Sequence, residues 1–345
     1  VNKLCGEISD AAGEMKGMNV RSIFIGGGTP SILPPKLMGK IMDAVINRYD
    51  VDSKAEITME ANPGTLLGKK LPVYRQCGIN RVSIGLQSAD NTELKNLGRI
   101  HSFEEFLKSF QSARMAGFTN INIDLMSGIP GQTLESWKNT LKKVTMLKPE
   151  HISAYSLIIE EGTPFWNRFG EGACACDYTG PALPDEDTEN KIYRFTRKFL
   201  QEQGFERYEI SNYAKKGYES KHNLVYWRFE NYYGIGLGSC GKNNHQIIEH
   251  SRSLTKYLNG DFKTTTIDET KEETMFNQIM MSLRLKEGLD LKKFKERYQE
   301  DACILYKEAV TRNIEKGRLM IENDYLKATQ EGQYVLNDIL IDFMK

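Results

Sequence analysis

The sequence predicts an α/β protein: a partial (β/α)6 barrel followed by a small helical, winged-helix-like C-terminal domain. Three observations carry this. Short apolar runs recur roughly every 30 residues, at 21–28, 56–63, 81–88, 120–128 and 151–159, each followed by a turn and a helical pattern, as βα units of a parallel sheet require. Polar residues gather at the C-terminal ends of these runs. From Glu272 onward the chain turns helical and highly charged.

The elements follow in order. Val1 opens a stretch that already reads as a helix. The first run, RSIFIGGG, ends at Gly26, Gly27 and Gly28, with Thr29 and Pro30 next. Glycine costs backbone entropy, so three in a row suggest a backbone that something approaches closely. EITMEANP ends at Glu60 and Asn62, RVSIGLQS at Gln87 and Ser88, NINIDLMSG at Asp124, Ser127 and Gly128. Between the last two, Phe103, Phe106, Leu107, Phe110 and Ala113 repeat with helical period. Ser102 with Glu105 forms a capping-box pattern, and Gly117 is the stop. LESWKNTLKKVTML is the next helix, and Pro149 follows it. Active sites of α/β sheets lie at the C-terminal ends of the strands, so polar strand ends in register imply a shared ligand pocket.

After residue 170 the character changes. Residues 170–189 are rich in Gly, Pro and acid and read as a surface loop; a helix at 186–203 ends at Gly204. Residues 207–242 are dense in aromatics without helical period and read as short strands and loops extending the sheet. LRLKEGLDLKKFKERY (283–298) and 309–344 read as helices with a hairpin. Their charges alternate in sign, which favours a packing module over a nucleic-acid reader. The expected divisions are 1–205, 206–271 and 272–345.

Composition bounds the function. The 345 residues are 40% hydrophobic and 27% charged, and 46 basic residues balance 46 acidic ones. Zero net charge argues against bulk binding to nucleic acid or anionic membrane, while a local patch for peripheral membrane contact stays open. No stretch approaches the roughly 20 apolar residues of a membrane span, and no signal peptide is visible. Six scattered cysteines point to a reducing, cytoplasmic setting rather than a disulfide framework. Cys174 and Cys176, the one close pair, read as ordinary loop cysteines in preference to metal ligands.

The series GGGTP, EANPG, SIGLQS, LGRIH, IDLMSGIPGQT, LPDEDTE, HNLVYW and GIGLG resembles the radical S-adenosylmethionine (SAM) family of anaerobic coproporphyrinogen III oxidases, and within it the HemW haem-chaperone branch. The resemblance covers essentially the whole chain. It implies that Gly27, Gly28 and Thr29 contact SAM through bare backbone, and that Glu60, Gln87, Arg99 and Asp124 supply the remaining polar contacts. An arginine suits the methionyl carboxylate because its fork is bidentate and always charged. HNLVYW implies haem contact, with His222 as an axial ligand and Asn223, Tyr226 and Trp227 beside it; packing of the core is the competing reading. The resemblance also implies a [4Fe-4S] cluster held by CxxxCxxC upstream of the GGGTP strand. No three of the six cysteines have that spacing, so the chain reads as a fragment that begins after the first strand, with the cluster ligands upstream and an open sheet edge along 21–26. Gly236-Leu-Gly238-Ser-Cys-Gly241 fits a dinucleotide fingerprint but lacks its following helix, and reads instead as a loop closing the mouth of the SAM pocket. The expected function is a SAM- and cluster-dependent haem chaperone that passes haem to apo-haemoproteins. Oxidative decarboxylation of coproporphyrinogen III is the alternative. A phosphate-sugar barrel without a cluster explains the glycines but not HNLVYW.

Overall fold

Apolar residues alternate with polar ones along each strand of the main sheet, and this alternation fixes which face the helices cover. The computed structural model describes residues 1–66, 68, 70–171 and 180–344; Cys174 and Cys176 lie outside them. The chain starts with α1 (Asn2–Ala11), then β1 (Asn19–Ile25), α2 (Pro35–Ile46), β2 (Asp50–Ala61), α3 (Lys70–Gln76) and β3 (Arg81–Gln87). It continues through α4 (Asn91–Asn96), α5 (Phe103–Met115), β4 (Ile121–Ser127), α6 (Leu134–Met146), β5 (His151–Ser156), the single turn α7 (Trp166–Phe169) and α8 (Glu186–Glu202). Strands β1 to β5 pair in parallel and in sequence order. Two short antiparallel strands, β6 (Glu206–Arg207) and β7 (Asn212–Ala214), extend the sheet beyond β5, so it runs past residue 205 in the order β1-β2-β3-β4-β5-β7-β6. The α/β half-barrel expected from the five runs is therefore the observed architecture.

One face of the sheet is apolar. Ile57, Met59, Val82, Ile84, Ile121, Ile123, Leu125 and Ile152 are buried there with Met38, Met42, Phe106, Phe110, Trp137 and Leu141 of the covering helices, forming the main core. The helix starts are set locally: Ser102 and Glu105 form the expected capping box on α5, and Asp90 and Asp185 cap α4 and α8.

The opposite, inner face is polar and still buried. Glu56, Thr58, Arg81, Ser83, Asn122, His151 and Ser153 all lie on it, each less than 9% exposed. Several are tied into one network: the ring nitrogens of His151 contact Asn122 Oδ1 at 2.6 Å and Tyr208 OH at 2.8 Å, while Asn122 Nδ2 donates to Ser83 Oγ at 2.7 Å and to Asp124 Oδ1 at 2.6 Å; Arg81 Nε is buried without a partner among the described residues. A buried network of this kind is stable only when nearly every member has a partner. Burial holds the His151 imidazole neutral, its pKa well below the ordinary value.

HNLVYW departs from its expected form. It is a helix, α9 (Lys221–Trp227), capped by Ser220 Oγ accepting from Asn223 N at 3.3 Å. Seven residues are too few for a hydrophobic period to show, so the aromatics masked it. A three-stranded antiparallel sheet follows, β8 (Cys240–Asn243), β9 (Gln246–His250) and β10 (Lys263–Asp268), with α10 (Leu254–Asn259) between the last two.

The C-terminal domain has its own core around Ile279, Leu283, Phe294, Leu326, Ile339 and Phe343. It comprises α11 (Lys271–Ser282), β11 (Leu289–Asp290), α12 (Leu291–Tyr298), α13 (Ala302–Leu305), α14 (Lys307–Glu315), the hairpin β12 (Leu319–Glu322) and β13 (Tyr325–Ala328), α15 (Gln330–Tyr334) and α16 (Leu336–Ile341). The helix expected across 283–298 is broken: Gly288 takes φ +79°, and β11 there pairs with β13. No helix among the described residues is long and apolar enough to cross a membrane.

Candidate functional site

At the C-terminal ends of β1 to β5 the polar inner face opens into a cavity of about 260 Å³. Gly28 and Thr29 follow β1, Glu60 sits at the end of β2, Gln87 ends β3, Arg99 comes from the loop after α4, and Asp124 lies on β4. These six of the seven residues singled out for SAM meet in one wall. The seventh, Gly27, stands just behind it, donating its N–H to Glu60 Oε2 at 3.2 Å. Six further lining residues were not singled out as contacts: Pro30, Ala61, Asn62, Ser83, Gly85 and Tyr155. Tyr155 was legible in principle, because HISAYS ends in register with the other strands.

The electrostatics are mixed by design of the strand ends. Burial raises the Glu60 pKa, and the nearby Asp124 charge adds to this. Asp124 accepts from Ser83 Oγ at 2.8 Å as well as from Asn122. Burial, then Asp124, pushes the Tyr155 phenol well up, so it stays a hydrogen-bond donor. Gln87 is held at φ +71°, beside an irregularity in the β3–β4 register, and its Oε1 is buried without a partner. The Arg99 side chain makes no hydrogen bond or ion pair among the described residues and lines the same cavity. Two carboxylates, one free guanidinium and an orphaned carbonyl suit a ligand with cationic or hydroxyl groups at one point and a carboxylate at another.

The three glycines have separate reasons. A Cβ on Gly26 would stand 2.8 Å from the Phe24 ring and 3.1 Å from Glu60 Oε2, so a side chain there must shift the ring and press on the carboxylate. Gly27 takes φ +106°, a conformation L-residues avoid, and this turns its N–H onto Glu60. At Gly28 a Cβ would meet no protein atom within 4 Å; the backbone there faces open space.

His222 lies lower in the barrel, against the middle of β1. Its Nδ1 is 3.1 Å from Ser22 Oγ and its Nε2 2.9 Å from Tyr226 OH, and its ring stacks on Phe24 with centroids 5.0 Å apart. Burial, and then the Arg81 charge, hold its imidazole down at about 4. Both ring nitrogens are thus occupied, and ligation of iron by His222 requires one of these bonds to break. Tyr226 packs edge-on against His222 and Tyr232. The first turn of α9 sits on a carboxylate: Glu56 accepts from Ser220 Oγ, Lys221 N and His222 N, each at 3.2 Å. Within HNLVYW, Asn223 is engaged through its backbone at the cap.

The glycine loop 234–241 does not close the pocket. It packs on α1, where Gly236 N donates to Glu7 Oε2 at 3.0 Å. Glu7 is buried, with His250 Nδ1 2.8 Å from its Oε1 and the Tyr257 hydroxyl on its other oxygen.

Comparison with known proteins decides the family. A radical SAM superfamily domain matches residues 3–144, and a HemN C-terminal domain matches 270–335. The haem chaperone HemW of Escherichia coli is 35% identical over 349 residues, covering 100% of this chain and 89% of that one. HemW of Bacillus subtilis is 34% identical over 334 residues, covering 94% of this chain and 86% of its own. The chain belongs to the HemW family of radical SAM proteins. The crystal structure of coproporphyrinogen III oxidase (HemN) from Escherichia coli superposes with a TM-score of 0.81 over 99% of this chain and 82% of that one; at 22% identity this shows a shared fold. Membership in HemW implies SAM, a [4Fe-4S] cluster and haem. The chemistry of the strand-end pocket fits SAM, since the Arg99 guanidinium and Gln87 Oε1 have no partner among the described residues. Among the described residues no three His, Cys, Asp or Glu side chains are grouped to hold a metal ion, so these residues do not supply the ligands of a cluster.

Proposed function

We propose that this HemW-family chain binds SAM in the strand-end pocket and acts as a haem chaperone, taking up haem and passing it to apo-haemoprotein recipients in the cytoplasm. The single observation that carries the SAM reading is the convergence of Thr29, Glu60, Gln87, Arg99 and Asp124 on one cavity, with a guanidinium that has no partner among the described residues. Arg99 takes the methionyl carboxylate. Glu60 and Asp124 accept from the ammonium and the ribose hydroxyls. Gly28 leaves room for the backbone of the ligand to lie close. When bound, SAM supplies a sulfonium carbon–sulfur bond that an added electron breaks. The haem reading rests on relatives named as haem chaperones at 33–36% identity over most of the chain.

Equilibrium dialysis with radiolabelled SAM tests the pocket, with Asp124→Asn and Arg99→Met as controls. Retention of wild-type affinity in both variants would sink it. Spectral transfer of haem from the loaded protein to an apo-haemoprotein tests the carrier role. Formation of protoporphyrinogen from coproporphyrinogen III, without haem transfer, would favour the oxidase reading that the HemN-like fold keeps in view.

A further inference from the structure

A second and larger cavity, about 420 Å³, lies between the β8–β10 sheet and the C-terminal domain, within the range of roughly 300–1,000 Å³ in which proteins hold small ligands. Asn244 and His245 line it from the β8–β9 turn, Glu269 and Lys271 from either side of the Thr270 cap of α11, and Arg297 and Tyr298 from the end of α12. The lining is polar and its charges do not cancel: Lys271 and Arg297 stand against one carboxylate, Glu269. A third cation lies behind the wall. Lys242 is 5% exposed, donates to Asn244 O and holds its Nζ 3.9 Å from the centre of the Phe229 ring. Arg297 packs 5.7 Å from the centre of the same ring and donates to Phe229 O and Gln278 Oε1. All these acceptors are uncharged, and among the described residues neither cation forms an ion pair. Burial, and then the Arg297 charge, lower the Lys242 pKa to about 8. Glu269 is half satisfied: its Oε1 accepts from Asn277 Nδ2 at 2.6 Å, while its Oε2 is buried without a partner among the described residues.

We propose that this cavity binds a dicarboxylic amino acid, with its ammonium on Glu269 and its two carboxylates on Arg297 and Lys271. Charges withdrawn from water need counter-charges, and the protein does not supply them here. A simple anion would answer the two cations but press against Glu269. A simple amine would answer Glu269 and add to the surplus of positive charge. A ligand with one ammonium and two carboxylates matches the lining charge for charge, and each contact is a charge-assisted hydrogen bond. The guanidinium of Arg297 offers a fork for the α-carboxylate and is already held in place by its two bonds. Lys271 sits at the rim, 3.2 Å from Glu300, with the two side chains 48% and 44% exposed; such a pair is worth little in water and exchanges readily for a ligand carboxylate. Glu269 is set beforehand, because its N–H donates to His245 O at 2.8 Å and Asn277 holds its Oε1. A bound amino acid therefore joins the start of α11 to the end of α12 across the cavity.

Isothermal titration of the full chain with L-glutamate, with and without saturating SAM, tests this. Wild type is expected to bind glutamate saturably and equally in both conditions. Glutarate, which lacks the ammonium, should bind about tenfold or more weakly, and so should L-glutamine, which lacks the second carboxylate. Glu269→Gln keeps an acceptor for Asn277 and should erase the preference for glutamate over glutarate. Lys271→Met, at an exposed position, should erase the preference for glutamate over glutamine while leaving the preference over glutarate. Absence of saturable binding to wild type, glutarate or inorganic phosphate bound as tightly as glutamate, or both variants keeping the wild-type preferences would overturn the site. Competition between glutamate and SAM would place the amino acid in the strand-end pocket and overturn it equally.

Discussion

Replacing Glu56 by alanine should release α9 from the barrel. The carboxylate is 6% exposed and accepts three bonds, two of them from the backbone of the first helical turn, where the helix dipole also favours a negative charge. Removing a buried acceptor leaves each donor short by about 1–3 kcal/mol. Ser220 Oγ keeps accepting from Asn223 N, but its hydroxyl proton is orphaned along with the two amides; the two amides alone set the loss at roughly 2–6 kcal/mol, and Glu56→Gln, which retains an acceptor oxygen, should cost about 1 kcal/mol. The measurements are hydrogen exchange at the amides of Lys221 and His222 and equilibrium unfolding in urea. A second readout comes from His222. Its pKa of about 4 lies below the ordinary 6.5, so the unfolded chain binds more protons in that window and stability falls as pH drops from 6.5 to 4. Freed from burial in Glu56→Ala, the imidazole should titrate closer to 6.5, and this slope should flatten. If Glu56→Ala unfolds within about 1 kcal/mol of wild type and His222 still titrates near 4, the Phe24 stack and the Tyr226 bond hold α9 unaided and the carboxylate cap is idle.

Arg99→Met should weaken SAM by about tenfold or more with little change in stability, because a charge-assisted bond is worth about 1.5–3 kcal/mol and this guanidinium has no partner among the described residues to lose; equal dialysis constants would contradict the assignment. Gly26→Ala should shift the Phe24 ring, press on Glu60 and destabilise the protein by about 1–3 kcal/mol, visible in both unfolding and SAM affinity. Glu209, 1% exposed, has a carboxyl raised by burial from 4.5 to about 6. The folded chain therefore binds more protons between pH 4.5 and 6, and stability falls as pH rises through that window. Glu209→Gln should thus gain about 2 kcal/mol at pH 8 and nothing below pH 4.5; a gain independent of pH would show that another interaction is responsible.

The five parallel strands, the capped helix α5, the helix α6 and the polar strand-end residues were legible because each depends on local rules. Alternation and helical period report burial, Ser102 reports a helix start, and glycines report backbone that must pass close or turn back. The α9 helix, the break at Gly288 and the seat of the 234–241 loop were not legible. Each is decided by a partner far away in sequence: Glu56 for α9, β13 for the break, Glu7 for the loop. The sequence by itself determined that Glu60, Gln87 and Asp124 share one end of a parallel sheet, since strand direction alone puts them there; Arg99, in the loop after α4, was reached only through the resemblance. Only the tertiary structure decided which groups are free to act. It left the Arg99 side chain without a partner among the described residues, while His222, the most conspicuous residue of its motif, is closed on both ring nitrogens by Ser22 and Tyr226. The Tyr226 bond is a local i,i+4 contact on α9, but the Ser22 bond joins side chains some 200 residues apart, and no local pattern records it.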